Sequence, residues 1–307
     1  AGHVAANALD AAADGPEAAW RRLDPERVVR PVLDYDGDPR LPRAGFRALS
    51  QALRRVPVAH RERLLNHATA RLFYQAAQDP NRDVWLQCEA LDLLASIPGS
   101  GFKDVAARRM AQPAGDPDLF VRGRLVGLLR QRFAETGDPD VRELWVRVRA
   151  DPSTHVRQRL CAETEGLPIE TAMGVLSALL RTDLASQVRA AAACALGRML
   201  SDPSAERAIE PLVEASAQEG EAFVLRCTIR ALAGEEIPNE TSGEAVAPRV
   251  RDHALTALDH LHTEASATLV RREAAMAAVK LATISIDVNI QTSPTTRPPK
   301  DRGALSP

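Results

Sequence analysis

Aromatic residues are scarce in this chain, with six Phe, two Tyr and three Trp in 307 residues. A core with so few rings is filled by Ala, Leu and Val. Small side chains let helix axes approach closely, so the composition favours helices packed on helices. Cysteines number four, Cys88, Cys161, Cys194 and Cys227, and no two form a CxxC or CxH pair. That spacing argues against the common zinc frameworks. All four fall in apolar helical stretches, where a thiol acts as a small buried hydrophobe. Such use fits a reducing, cytoplasmic compartment. No run of about 20 apolar residues exists, so no segment reads as a membrane-spanning helix. A basic-then-apolar leader is missing too, and the chain opens on Ala1, as an excised piece of something longer would. The GxGxxG and P-loop phosphate cradles and the GxSxG nucleophile elbow are all absent. No catalytic, cofactor-binding or metal-binding residue is assigned on these grounds.

Charge of one sign is also lacking overall. The net charge is −2, so bulk electrostatics do not recruit nucleic acid. The balance is local. Residues 21–63 hold eleven arginines against six acids, and residues 199–245 hold three arginines against ten acids. These runs read as solvated helix faces, with preferences for anionic and cationic partners as the alternative.

What is present is a recurring stretch. Residues 183–200 read DLASQVRAAAACALGRML. Relatives of it follow Asp79-Pro80 at Val84, Asp116-Pro117 at Val121-Arg122, and Asp151-Pro152 at Val156-Arg157. Further copies follow Asp183 at Val188-Arg189 and Glu219-Gly220 at Val224, where Leu225-Arg226 also fits. A last copy starts at Val270-Arg271. The valines are 37, 35, 32, 36 and 46 residues apart, and the longest gap holds the polar stretch Glu235–Pro248. An aspartate caps a helix by accepting an orphan backbone N–H, and proline fits the first helical position. Partner helices are expected at Lys103–Ala111, Val141–Ala150, Ile169–Arg181, Ala205–Ala217 and Arg249–Thr263. A helix, a turn and a helix every 35 residues or so make a solenoid, in which neighbours bury each other's apolar faces.

Before these copies, residues 4–23 read as a capping hairpin broken at Asp14-Gly15-Pro16. Helices follow over Glu26–Asp34, Arg43–Val56 and Arg61–Gln78. After them, Ile284, Ile286, Val288 and Ile290 alternate with Ser285, Asp287 and Asn289, and period 2 predicts a strand. Residues 292–307 read as a Pro/Thr-rich flexible tail. The expected organisation is therefore capping helices over 1–24, a repeat array over 25–281, and a strand-like segment and tail over 282–307.

The Asp-Pro-x-x-x-Val-Arg turn and the Ala/Leu-rich helix after it resemble HEAT repeats of the short bacterial HEAT/armadillo-like kind. The resemblance covers about Pro25 to Leu281. It implies an all-α, right-handed α-solenoid of about six or seven helical hairpins, and a scaffold that binds a protein partner on its concave face. It also implies a ladder between turns, built from Asp116, Arg122, Asp151, Arg157, Asp183 and Arg189. Asp116 would pair with Arg122 or Arg157, and Asp151 with Arg157 or Arg189. The pattern departs at Val84-Trp85, where Trp replaces Arg, and at Ala265, where no aspartate precedes Val270.

On the concave face, partner-reading residues are expected at Gln87, Arg124, Arg159 and Arg272. The alternatives are a nucleic-acid binder with a DNA-glycosylase-like cleft, or a HEAT-like lyase. Trp85, Trp145, Arg122, Arg124, Arg157 and Arg159 are the residues such a cleft would use. Residues 122–159 carry nine arginines against five acids, and Trp145 sits at apolar spacing with Val141 and Val148. His253, His260 and His262, with His60 and His67, have the wrong spacing for a tight helical metal site and read as exposed or capping. No His-Glu dipeptide occurs, which disfavours a di-iron HEAT enzyme.

Overall fold

In each copy of the recurring stretch, the marked valine lies five residues after the residue that opens the turn. A computed structural model describes residues 67–79, 81–97, 99–111, 118–234 and 248–292. Side chains at 67–69, 118, 203, 248–250 and 283–292 are outside that description. The sequence expectations for residues 1–66, for Asp116 and for 293–307 lie outside the described residues.

The described residues form twelve α-helices. These are α1 (His67–Gln78), α2 (Val84–Ser96), α3 (Phe102–Ala111), α4 (Asp118–Thr136), α5 (Pro139–Arg147) and α6 (Thr154–Ala162). Then come α7 (Ile169–Thr182), α8 (Ser186–Met199), α9 (Ile209–Gln218), α10 (Ala222–Ala233), α11 (Pro248–Glu264) and α12 (Thr268–Thr292). Short 3-10 turns at Val148–Ala150 and Pro203–Ala208 extend α5 and precede α9. The five partner helices expected from the sequence are α3, α5, α7, α9 and α11.

The chain divides into two compact units, Ala1–Val175 and Leu176–Pro307. In the first, α2 packs on α4 and α4 on α6, while α1 packs on α3 and α3 on α5. The hairpins α1–α2 and α4–α5 tie the two layers together. In the second, α8, α10 and α12 pack in series, α9 packs on α11, and the hairpins α9–α10 and α11–α12 join them. Each unit is thus a two-layered stack of hairpins, the HEAT/armadillo-like architecture that the repeat implies.

The repeated valine explains why neighbours stack. Val121, Val156, Val188, Val224 and Val270 are all fully buried, so one sequence position does one job in five copies. Burying a Val side chain is worth about 1.5–3 kcal/mol each. Small residues set the spacing of the axes. Gly197 of α8 faces Ala231 of α10 so closely that a Cβ there would lie 2.6 Å from the Ala231 Cβ. Trp145 is wholly buried with Val141 and Val148, as its apolar spacing foretells.

Two expectations are corrected. Residues 284–290 are not a strand, because α12 runs unbroken through Thr292. A lone strand leaves its backbone ladder unpaired. Extending a formed helix adds a hydrogen bond for each residue fixed, so the neighbouring helix overrides the alternation. The cysteines all lie in helices, yet only Cys161 is buried, and Cys88, Cys194 and Cys227 are half-buried.

Candidate partner-binding face

The turns between repeats decide which arginines are left for a surface. At four described turns the opening acid caps the N–H two residues on: Asp79 for Asn81, Asp151 for Ser153, Asp183 for Ala185 and Glu219 for Glu221. The arginine after the marked valine folds back over its own turn. Arg157 Nη1 donates to the carbonyls of Asp151 and Pro152 at 2.7 and 3.2 Å. Arg189 Nη1 does the same to Asp183 and Leu184, and Arg271 Nη1 to Ala265 and Ser266.

Arg122 and Arg189 reach to the next turn. Arg122 donates to both oxygens of Asp151, with Nε–Oδ2 at 2.8 Å, and the two side chains are 1% and 2% exposed. Arg189 grips Glu219 with two bonds of 2.7 and 3.0 Å. Burial alone would raise the Glu219 carboxyl, but Arg189 and the N–H groups of Gly220 and Glu221 hold it below its ordinary value of 4.5. Two couplings between successive turns are present among the described residues, Arg122 with Asp151 and Arg189 with Glu219. Asp151 takes the side chain of Arg122, from the preceding repeat, rather than that of Arg157 or Arg189 as expected. Arg157 meets Asp151 at the backbone carbonyl.

At the first described turn Trp85 stands where Arg122, Arg157, Arg189 and Arg271 stand in four other copies, and the job passes to two other residues. Arg109 of α3 is buried and donates to the Ala77 carbonyl at 3.2 and 2.7 Å and to Gln87 Oε1 at 2.5 Å. Gln87 Nε2 in turn donates to the Arg82 carbonyl at 2.8 Å. Gln87 is 2% exposed, so it is a structural residue and not the surface reader the sequence suggested. Trp85 is released to the surface, where it is 60% exposed.

The released tryptophan borders a groove of about 410 Å3 across α2, α4 and α6. Trp85, Cys88, Glu89 and Asp92 come from α2, Phe120, Gly123 and Arg124 from α4, and His155 and Arg159 from α6. Asp83 caps α2 by accepting from the N–H groups of Trp85 and Leu86, which fixes the backbone that carries the indole. Phe120 is 61% exposed, so two aromatic side chains stand in solvent on one face. The two arginines here are already partnered. Arg124 Nε lies 2.7 Å from Asp92 Oδ1, and Arg159 pairs with Glu163 at 2.5 Å. Arg130 also reaches Glu163, at 3.2 Å. Burial and the Asp92 carboxylate push the Cys88 thiol up to about 11, so it stays protonated and unreactive at neutral pH.

The structure therefore brings Arg124 and Arg159 to one groove and leaves Gln87 beneath it. Arg272 is exposed on α12, in the other unit. Trp145, buried in the core, is no cleft residue. Sequence reasoning did not foresee Phe120. Its signal is position: it lies four residues after the turn opener, as His155, Phe223 and Leu269 do, and all four are exposed. His253 and His260 are exposed on α11, and His262 Nδ1 lies 3.2 Å from the Arg271 carbonyl. Among the described residues no three His, Cys, Asp or Glu side chains converge as a metal site would require. No helix among them is long and apolar enough to cross a membrane.

No family model matches this chain. No curated protein matches it either. Among solved structures it is similar to human deoxyhypusine hydroxylase at 15% identity, covering 92% of this chain and 98% of that one, with a TM-score of 0.35. It is also similar to a designed armadillo repeat protein at 16% identity, covering 84% and 100%, with a TM-score of 0.33. A third is the archaeal HEAT-like repeats protein from Thermococcus onnurineus NA1, at 13% identity, covering 91% and 97%, with a TM-score of 0.27. At such scores these superpositions carry no argument. The architecture rests on the chain's own buried valines and turn clamps.

Proposed function

We propose that this chain is a protein-binding scaffold whose α2–α4–α6 face takes a short peptide segment, with a bulky apolar side chain of the partner seated between Trp85 and Phe120. The observation that carries the reading is the fate of the arginines in 122–159. Arg122 and Arg157 are spent on turns, Arg124 is paired with Asp92, and Arg159 shares Glu163 with Arg130. What remains on the face is two exposed aromatics with a rim of paired charges. Aromatic anchors surrounded by polar groups are the usual hot spots of protein interfaces, whereas nucleic-acid binding needs unpaired cations. The protonated Cys88 thiol and the paired carboxylates also support binding over chemistry. Four free cysteines fit a reducing, cytoplasmic setting. The reading keeps 25–281 as the repeat array and 1–24 as its cap.

The test is selection of a displayed peptide library on the full chain, followed by titration of the selected peptide. Selected peptides should share an aromatic or large aliphatic anchor. Trp85→Ala and Phe120→Ala should each weaken binding about tenfold or more. Unchanged affinity in both variants would remove the face from consideration. A duplex or single strand bound with a steep salt slope would move the function to nucleic acid.

A further inference from the structure

The C-terminal unit holds a second feature, independent of the peptide groove. Cys194 lies on α8 and Cys227 on α10, and the two thiols are near enough to perturb each other's ionisation. The helices almost touch one turn further on, where Gly197 meets Ala231. Cys194 and Gly197 are three residues apart, and Cys227 and Ala231 four apart, so both thiols sit on the faces that make this crossing. Each is half-buried, within reach of a small molecule. We propose that Cys194 and Cys227 form a thiol–disulfide exchange site, which closes a reversible disulfide between neighbouring repeats when it meets a low-molecular-weight disulfide of the glutathione type.

The surroundings assign the roles. The neighbouring Cys194 thiol and the nearby Arg230 and Arg226 favour the Cys227 thiolate against burial and Glu273, and hold its thiol down to about 7. Arg226 is itself gripped by Glu273 at 2.9 and 2.8 Å, so Arg230 is the less compensated cation. Cys194 moves the other way: the neighbouring Cys227 and burial push its thiol up, and Arg198 and Arg230 oppose the rise without reversing it. With the less compensated Arg230 three residues on along α10, Cys227 is assigned the attacking thiolate and Cys194 the resolving thiol.

In the first step the Cys227 Sγ attacks one sulfur of the small disulfide. A Cys227–small-thiol bond forms, and the other half leaves as a thiolate. That thiolate takes up the proton released from Cys194. In the second step the Cys194 thiolate sulfur attacks the Cys227 Sγ and expels the second small thiolate, which takes from water the proton that Cys227 gave up. Two protein thiols are oxidised by two electrons, one small disulfide is reduced to two thiols, and an excess of thiol drives the exchange back. A disulfide requires Cα atoms about 4.4–6.8 Å apart, and the close approach of α8 and α10 at Gly197 and Ala231 brings the two helices toward that range. The other two cysteines do not compete, since Cys161 is buried and the Cys88 thiol is pushed up to about 11.

The test uses the full chain with glutathione disulfide, removal of the oxidant, and thiol titration in denaturant. The count should fall from four thiols to two and return to four with reduced glutathione. After alkylation and trypsin, which cuts after Arg189, Arg198, Arg226 and Arg230, fragment 190–198 should be joined to fragment 227–230. Cys194→Ser should arrest the exchange as a stable glutathione adduct on Cys227. Cys227→Ala should leave its remaining three thiols free. The wild-type map needs no variant, so the test survives a variant that fails to fold. A count that stays at four, adducts without the 190–198 to 227–230 link, or links through Cys88 or Cys161 would each overturn the proposal. Arrest of an adduct on Cys194 rather than Cys227 would overturn the assigned roles.

Discussion

Arg122 and Asp151 are almost fully shielded from water, and each compensates the other's charge. Removing one partner of a buried pair strands the other, at a cost of about 3–5 kcal/mol. Arg122→Ala should therefore lower the urea midpoint strongly. Arg157→Ala loses two bonds to backbone carbonyls, and a loss of about 1–3 kcal/mol is expected. An unchanged melt for Arg157→Ala would deny that it staples its turn. Glu219 supplies a pH test. Its carboxyl is held below 4.5 in the folded chain, so the stability it contributes is present above pH 4.5 and lost as pH falls through the folded value. Glu219→Gln should flatten the acid limb of the stability curve, and an identical limb would contradict the Arg189 grip. The residue types of this ladder are legible in the sequence, but its connectivity is not. Asp151 lies six residues before Arg157 and 29 after Arg122, and only the stacking of helices tells which arginine's side chain reaches it. Gln87 shows the other limit. It occupies the place that Arg124 and Arg159 occupy in their repeats, yet it is buried, because Trp85 vacates the clamp and Arg109 enters from another helix.

At the scale of elements, the crossing of α8 and α10 is the sharpest test of packing. A methyl at Gly197 would collide with the Ala231 Cβ and Cα, at 2.6 and 2.8 Å, and neither atom belongs to a flexible side chain. Gly197→Ala should destabilise by about 1–3 kcal/mol, even though alanine is the better helix former. Ala231→Gly should recover part of that loss in the double variant, and simple additivity would show that the two do not meet. Helix positions were readable because caps, marked valines and apolar spacing agree along the chain. Where two local signals conflicted, as at 284–290, the established helix prevailed over period-2 alternation. Backbone chemical shifts across 284–290 should be helical, and extended values would restore the strand.

For the whole molecule, the repeat was the legible part and the binding face the obscure one. Buried valines at a near-constant period announce themselves in any sequence. An exposed Phe120 does not, since an apolar residue near a helix start looks like core until its neighbours are placed. Trp85→Ala and Phe120→Ala should leave the melting temperature within a degree or two, because exposed side chains contribute little to stability. A large drop would make them packing residues and would undercut a role in recognition. The turn couplings carry a last consequence. Each one is specified by short internal distances, five residues from opener to valine and one more to the arginine, and by a partner about 30 residues away. One amino acid added within that interval would uncouple a joint. A whole hairpin added or deleted between joints would keep every joint in register, so such a chain can change length in hairpin-sized steps and hardly at all in smaller ones.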